Sequence, residues 1–157
     1  MSYLLNTLMN YFRLDSGKES VHALPIRLEN IVETLEAEFV PQMGKKRLMF
    51  EVNNDADEVV MGDRNMILRI GSNLLSNALK FTKKGSVKLT AKYSKGKFIL
   101  AVEDSGTGIS KEKLEQIFKP FERLGNAATQ DGFGLGLAIV KSLVDLMDGT
   151  LLRWKVC

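Results

Sequence analysis

Cysteine is nearly absent from this sequence, because Cys157, the last of its 157 residues, is the only one. A single cysteine cannot form a disulfide within the chain or build a cysteine-based metal site, and its scarcity suits a reducing compartment. Long apolar runs are missing too, and none approaches the roughly 20 residues of a membrane-spanning helix. Residues 1–15 lack the basic start and apolar stretch of a secretory signal. These absences exclude a disulfide-stabilised mini-protein.

A strong excess of charge of one sign is also missing. The 22 lysines and arginines exceed the 19 aspartates and glutamates by only +3, and they form no basic stripe, so we expect no nucleic-acid partner. What is present is an average globular composition, with 45% hydrophobic and 26% charged residues. Together with a length typical of one domain, this composition predicts a chain that folds around a core.

Hydrophobic periodicity predicts helices that alternate with strands. Helical spacing covers residues 2–16, 28–39, 64–82, 110–118 and 134–147, and strand or extended patterns cover residues 20–27, 47–52, 58–61, 87–93 and 97–103. We expect Pro41 to end the second helix and Asp63 to cap the start of the third. Residues 124–132 have no period and are predicted to form a loop.

The helix predicted for residues 64–82 carries two amides and one ammonium on one side. At roughly 100° per residue, Asn73, Asn77 and Lys80 fall within about 60° of each other. The opposite side is predicted to hold Ile67, Ile70, Leu74, Ala78 and Phe81. An ordinary solvated face remains open, although asparagine is a poor helix former. The alternative is a metal and phosphate site, since a carboxamide oxygen suits Mg²⁺ and an ammonium suits phosphate oxygens.

Two glycine-rich segments follow. The first, Asp104-Ser-Gly106-Thr-Gly108, places a carboxylate at a strand exit, where it could accept a hydrogen bond from an adenine amine; a capped tight turn remains open. The second, Gly132-Phe-Gly134-Leu-Gly136, opens a helix whose N–H groups could bind phosphate. Leu137 stands where a dinucleotide fingerprint needs glycine, and no Gly-Lys pair precedes Ser or Thr as in a P-loop.

Four segments, in this order, resemble the N, G1, F and G2 boxes of sensor histidine kinases. They are Asn73-Leu-Leu-Ser-Asn77-Ala-Leu-Lys80-Phe81, Asp104-Ser-Gly106-Thr-Gly108-Ile109, Phe118-Lys-Pro-Phe121-Glu-Arg123 and Gly132-Phe-Gly134-Leu-Gly136-Leu-Ala. The resemblance covers residues 20–150 and implies the GHKL (Bergerat) ATP-binding fold, an α/β (α+β) two-layer sandwich with a mixed sheet on helices. Residues 1–17 resemble the end of a dimerisation helix, which leaves 18–157 as the catalytic domain.

The resemblance also implies a role for each box residue. Asn77 would ligate Mg²⁺, Asn73 would assist at the phosphates, Lys80 would contact phosphate oxygens, and Asp104 would bind the adenine amine beside Gly106 and Gly108. Phe118 and Phe121 would anchor a mobile lid, Arg123 would contact a phosphate, and Gly132, Gly134 and Gly136 would form the hinge and phosphate loop. As apolar residues, Phe118 and Phe121 are equally well explained as core.

The position of Asn73 separates the subclasses of this superfamily. Gyrase-type and chaperone-type ATPases carry a glutamate there, whereas asparagine cannot act as a base near neutral pH. The resemblance therefore implies transfer of the γ-phosphoryl group of ATP to a histidine of a dimerisation domain, with slow hydrolysis. His22, the only histidine, lies in an extended stretch, so it is not the expected acceptor and this chain alone should not autophosphorylate. A degenerate, non-catalytic module is the alternative.

The implied partners are ATP with Mg²⁺, the dimerisation and phosphoacceptor domain of the same protein, and a response regulator. A homodimer is expected in the full-length protein, with a cytoplasmic location for this domain; inner-membrane anchoring of the whole protein stays open. The family also predicts two strands after Gly149, whereas residues 151–157 leave room for one, so we expect a domain truncated at its C-terminal end or one whose tail has diverged.

Overall fold

The computed structural model describes residues 3–17, 19–108, 112 and 136–147. The chain divides into two compact units, one formed by residues 22–107 and the other by residues 1–21 with 108–157. The described elements are α1 (Tyr3–Asp15), β1 (Leu24–Arg27), α2 (Leu28–Lys45), β2 (Met49–Asp55), β3 (Val59–Gly62), α3 (Arg64–Phe81), β4 (Ser86–Ser94), β5 (Lys97–Asp104) and α4 (Gly136–Leu146).

The unit formed by residues 22–107 contains a mixed sheet covered by helices. Its strand order is β2-β4-β5, with β2 parallel to β4 and β4 antiparallel to β5, and a separate antiparallel pair joins β1 to β3. Both α2 and α3 contact this sheet and each other. This arrangement confirms the predicted mixed sheet packed on helices.

Alternation along β4 sets which face of the sheet is buried. Val87, Leu89 and Ala91 are fully buried, whereas the intervening Lys88 and Thr90 are not. Successive side chains of a strand point to opposite faces, so this period of two places one row against the helices. The predicted strand 87–93 is confirmed.

The prediction that Pro41 ends the second helix is wrong, because α2 continues to Lys45. Proline inside a helix removes one hydrogen bond and costs about 3 kcal/mol. Phe39 and Met43, which stand on either side of Pro41, are each 1% exposed. The apolar surface that these two side chains bury offsets the cost of the proline, so tertiary packing overrides the local stop signal.

The predicted cap of α3 is confirmed. The Asp63 carboxylate accepts a hydrogen bond from the backbone N–H of Met66 at 3.2 Å and a second from that of His22 at 2.9 Å. Asp63 is itself buried, and the two hydrogen bonds use both of its oxygens. One side chain thus starts the helix and holds the segment that precedes β1.

The predicted apolar side of α3 is partly wrong. The buried residues of the helix are Met66, Ile67, Gly71, Leu75 and Ala78. Ile70 and Leu74 are only half-buried and Phe81 is exposed. The reason is the close approach at Gly71, where an added Cβ would lie 2.5 Å from Leu35 Cδ1 of α2. Gly71 therefore faces α2, and the buried side of the helix lies around Gly71 and Leu75 rather than around Ile70 and Leu74.

A two-residue turn joins β4 to β5. Lys95 and Gly96 both have positive φ, 53° and 75°, as a tight hairpin with the natural strand twist requires. The turn sets the register that ends with Val87 opposite Asp104. The hairpin therefore delivers Asp104 to the end of the sheet.

The other unit contains α1 and α4, which contact each other. Leu5, Met9 and Phe12 of α1 are 42%, 55% and 53% exposed and lie on one side of the helix. Among the residues described here, no helix is long and apolar enough to cross a membrane. Apart from residue 112, the predicted helix 110–118 lies outside the described residues, as do the loop 124–132 and the tail 151–157.

Candidate nucleotide-binding site

The polar side of α3 is placed as its sequence predicts. Asn73 and Asn77 stand one turn apart, Lys80 follows in the last turn, and all three side chains are half-buried. The side of the helix away from them carries the buried Gly71 and Leu75. The two amides and the ammonium therefore share a partly sheltered face.

Lys46 holds the end of α3 in place. Its Nζ donates hydrogen bonds to the backbone carbonyls of Leu79 and, at 3.4 Å, Lys80. The last carbonyls of a helix have no partner within the helix, and a cation stabilises them. The Nζ of Lys80 itself lies 5.6 Å from the centroid of the Phe81 ring.

The Asp104 loop packs directly against this end of α3. The Gly106 N–H donates to Asp104 Oδ1 at 2.8 Å. A Cβ added at Gly106 would lie 2.7 Å from the carbonyl oxygen of Phe81, so only glycine fits. The structure therefore brings Asp104 and Gly106 together with the last turn of the helix that carries Lys80.

Thr82 adds a buried hydroxyl that sequence reasoning missed. Its side chain is fully buried, and its Oγ1 has no hydrogen-bond partner in the part of the chain that the structure describes. A buried hydroxyl without a partner costs about 1–3 kcal/mol. A Cβ at Gly106 would lie 3.3 Å from this oxygen, so the unsatisfied hydroxyl borders the Asp104 loop.

The oxygen donors of this site suit a metal ion that enters already bound to the phosphates of a nucleotide. Within the described ranges, no group of three histidine, cysteine, aspartate or glutamate side chains could hold a metal ion. Asn77 offers one neutral oxygen. Mg²⁺ keeps several waters and is commonly held by one or two protein oxygens together with substrate phosphates. The residues therefore fit Mg²⁺ that arrives as part of a nucleotide complex, and Asn77 is the side chain that would hold it.

The remaining predicted residues belong to the unit formed by residues 1–21 and 108–157, or lie outside the described residues. Gly108 has φ +75°, which favours glycine, and Gly136 is the first residue of α4. Phe118, Phe121, Arg123, Gly132 and Gly134 lie outside the described residues. The predicted roles of all seven stay predictions.

Sequence reasoning also missed Lys46 and Ser105. The signal for Ser105 lay inside the glycine-rich segment, where a hydroxyl residue stands between Asp104 and Gly106. No local signal identified Lys46, because its partners lie more than thirty residues away along the chain.

A profile of one protein family matches residues 62–154, which is more than half of the chain. The family is described as the histidine kinase-, DNA gyrase B- and HSP90-like ATPases. The chain therefore belongs to this family, as the resemblance predicts.

The relatives and solved structures that it resembles are histidine kinases, and the chain spans less than a fifth of the first of these relatives. It is 35% identical over 156 residues to the autoinducer 2 sensor kinase/phosphatase LuxQ of Vibrio harveyi, spanning 93% of this chain and 18% of that protein. Full-length ShkA in complex with AMPPNP superposes with a TM-score of 0.82, at 27% identity over 92% of this chain and 30% of that one. The catalytic domain of histidine kinase ThkA has a TM-score of 0.70, at 28% identity over 79% and 80%. These matches confirm the predicted fold class.

Proposed function

We propose that this chain is the catalytic domain of a two-component sensor histidine kinase. It binds ATP with Mg²⁺ and transfers the γ-phosphoryl group to a histidine on a dimerisation domain. The observation that carries the proposal is the packing of the Asp104 loop against the last turn of α3, because it brings a carboxylate to the end of the helix that carries Asn77 and Lys80. Family membership and the AMPPNP complex of ShkA support it.

Each residue of this site has a distinct chemical task. Asp104 accepts a hydrogen bond from the exocyclic amine of adenine, and Lys80 neutralises charge on the phosphates. Asn77 holds Mg²⁺, which when bound neutralises charge that develops during phosphoryl transfer. Gly108, Gly132, Gly134, Gly136, Phe118, Phe121 and Arg123 keep their proposed nucleotide or lid roles on the family resemblance alone.

Asn73 explains why transfer is favoured over hydrolysis. Its carboxamide can hydrogen-bond to a phosphate oxygen but cannot take a proton from water near neutral pH. A protein nucleophile that brings its own reactivity is therefore needed, and a neutral imidazole supplies it. We expect slow ATP hydrolysis when no acceptor is present, and rapid turnover would contradict this mechanism.

Calorimetric titration with AMPPNP, with and without Mg²⁺, tests the binding site. Asp104→Asn should weaken binding by at least about tenfold, because the amide offers adenine one oxygen and a competing donor. Asn77→Ala should remove the affinity gained with Mg²⁺. The exposed changes Asp57→Asn and Asn65→Ala, the latter also in α3, serve as matched controls. Equal affinity of all four variants for AMPPNP, with and without Mg²⁺, would contradict the proposed site.

Phosphotransfer to a supplied acceptor tests the reaction. Labelled ATP should transfer phosphate to the dimerisation domain of the full-length protein, whereas this chain alone should remain unlabelled. Label on this chain would show that it contains its own acceptor. Binding without transfer would indicate the non-catalytic alternative.

We also propose that the full-length protein is a cytoplasmically active homodimer that serves a response regulator. The exposed apolar side of α1, formed by Leu5, Met9 and Phe12, supports pairing with a second copy. Met9→Glu should lower the dimer fraction in sedimentation, whereas Met49→Glu, on the 71% exposed Met49 of β2, should not. An unchanged dimer fraction with Met9→Glu would place the interface elsewhere.

A further inference from the structure

Strand β5 ends with a hydrogen bond in which a side chain replaces the backbone. Beyond the Val87–Asp104 pair, Ser86 and Ser105 would be the next partners. The Ser105 N–H donates to the Ser86 carbonyl at 3.0 Å, as the ladder requires. The Ser86 N–H, however, donates to Ser105 Oγ at 2.9 Å rather than to the Ser105 carbonyl. The ladder therefore stops one residue after Asp104.

The loop that receives Ser105 is shaped around its hydroxyl. Gly85 has φ +112°, and a Cβ added there would lie 2.0 Å from Ser105 Oγ. The same hydroxyl donates to the Lys84 carbonyl at 3.4 Å, and the Gly85 carbonyl accepts from the N–H of Met49 in β2. A side chain at position 85 would displace the Ser105 hydroxyl, so the two residues are matched.

Because the Ser105 hydroxyl, and not the Ser105 carbonyl, accepts from Ser86, the β-ladder leaves the peptide unit between Ser105 and Gly106 free to rotate. The Ser105 carbonyl and the Gly106 N–H belong to one planar trans unit and point in opposite directions. If the Ser86 N–H donated to the Ser105 carbonyl, the β-ladder would fix the orientation of this peptide plane. Because the Ser105 hydroxyl satisfies Ser86 instead, the plane is set by the bond from Gly106 N–H to Asp104 Oδ1.

We propose that Ser105 is a positioning residue for Asp104: its hydroxyl ends β5 and lets Gly106 orient the carboxylate that recognises adenine. The inference rests on the proposed nucleotide-binding function. It concerns recognition of the base and not of the phosphates, because the Ser86–Ser105 contacts involve only the Asp104 side of the site. In this role Ser105 acts through Asp104 and is not itself a ligand of the nucleotide.

Replacing the hydroxyl tests the proposal. Ser105→Ala should weaken AMPPNP binding about tenfold. It should also narrow the preference for AMPPNP over GMPPNP, because a misdirected carboxylate no longer selects the adenine amine. Affinity for inorganic triphosphate should stay unchanged. Ser105→Thr, which keeps the hydroxyl, should restore the adenine preference. Thr34→Ala removes an exposed hydroxyl that donates to the Asn30 carbonyl and accepts from Arg64, and it should change none of these values.

The outcomes separate this inference from the proposed function. If the unaltered chain does not bind AMPPNP, the proposed function fails. If it binds, and Ser105→Ala keeps both its affinity and its adenine preference, the positioning role is wrong. A loss shared equally by AMPPNP, GMPPNP and triphosphate would also overturn it, since that pattern reports a general structural defect. Should Ser105→Ala not fold, Ser105→Cys keeps the volume with a weak acceptor and takes its place.

Discussion

Helices α2 and α3 are both 18 residues long and pack against each other, yet they use their surfaces differently. The α2 helix buries large apolar side chains along one stripe, namely Leu28, Ile31, Val32, Leu35, Phe39 and Met43. The α3 helix approaches it closely at Gly71 and leaves its two amides and Lys80 half-buried. Core packing thus dominates the surface of α2, whereas α3 combines buried residues with the polar side chains that we propose bind nucleotide.

The largest effect should follow from removing core volume in α2. Leu35→Ala should lower the free energy of unfolding by about 2–5 kcal/mol, because Leu35 is fully buried against α3. Chemical denaturation measures this, and AMPPNP affinity at low denaturant should change little. Val40→Ala in the same helix, at a residue that is 50% exposed, should cost no more than about 0.5 kcal/mol. Comparable losses for both variants would refute the scaffold role of this stripe.

The contact between the helices should be the next most sensitive position. Gly71→Ala places a methyl group 2.5 Å from Leu35 Cδ1 and should cost about 1–3 kcal/mol through overpacking. Gly44→Ala in α2 has nothing within 4 Å and should instead stabilise the chain by about 0.5–1 kcal/mol. Thermal unfolding of the two variants should therefore shift in opposite directions, and shifts of one sign would contradict the close packing.

Loss of the α3 cap should have a smaller effect. Asp63→Ala removes the acceptor for the N–H groups of Met66 and His22 and should cost about 1–2 kcal/mol. Asp63→Asn keeps one of the two oxygens, so its unfolding free energy should lie between those of Asp63→Ala and the unaltered chain. Denaturation midpoints that do not follow this order would show that the two hydrogen bonds contribute little to the free energy of unfolding.

The smallest effect should come from the cation at the end of α3. Lys46→Met keeps the stem but loses the bonds to the carbonyls of Leu79 and Lys80, for an expected cost of about 0.3–1 kcal/mol. Lys45→Met is the neighbouring control. The difference between the two should shrink in high salt if it is electrostatic, and a salt-independent difference would point to packing instead.

Periodic signals in the sequence predicted the elements well, because the pattern of burial is local. The alternation along β4 and the Asp63 cap are confirmed on this basis. The stop predicted at Pro41 failed because burial of Phe39 and Met43 is a tertiary effect. The apolar side of α3 was predicted partly wrongly for a related reason, since the sequence does not show that Gly71 is the point of closest approach to α2.

The sequence predicted residues of the candidate site, but it did not predict which of them contact each other. Asn73, Asn77 and Lys80 share a face because a helix has a fixed period. Thr82 and Ser105 were missed because their significance depends on the approach of two segments about twenty residues apart in sequence. Only the folded chain shows that a fully buried Thr82 hydroxyl borders the Asp104 loop.

The mixed pairing of β4 has a consequence for the order of folding. On one side it joins β5 through a two-residue turn, and hairpins of this kind form in about 1–10 μs. On its other side it joins β2 in parallel, which requires the chain to pass through β3 and all of α3 first. Pairings between distant segments form slowly. We therefore expect Asp104 and Ser105 to reach their places opposite Val87 and Ser86 early in folding, so that the rest of the site assembles around an existing hairpin.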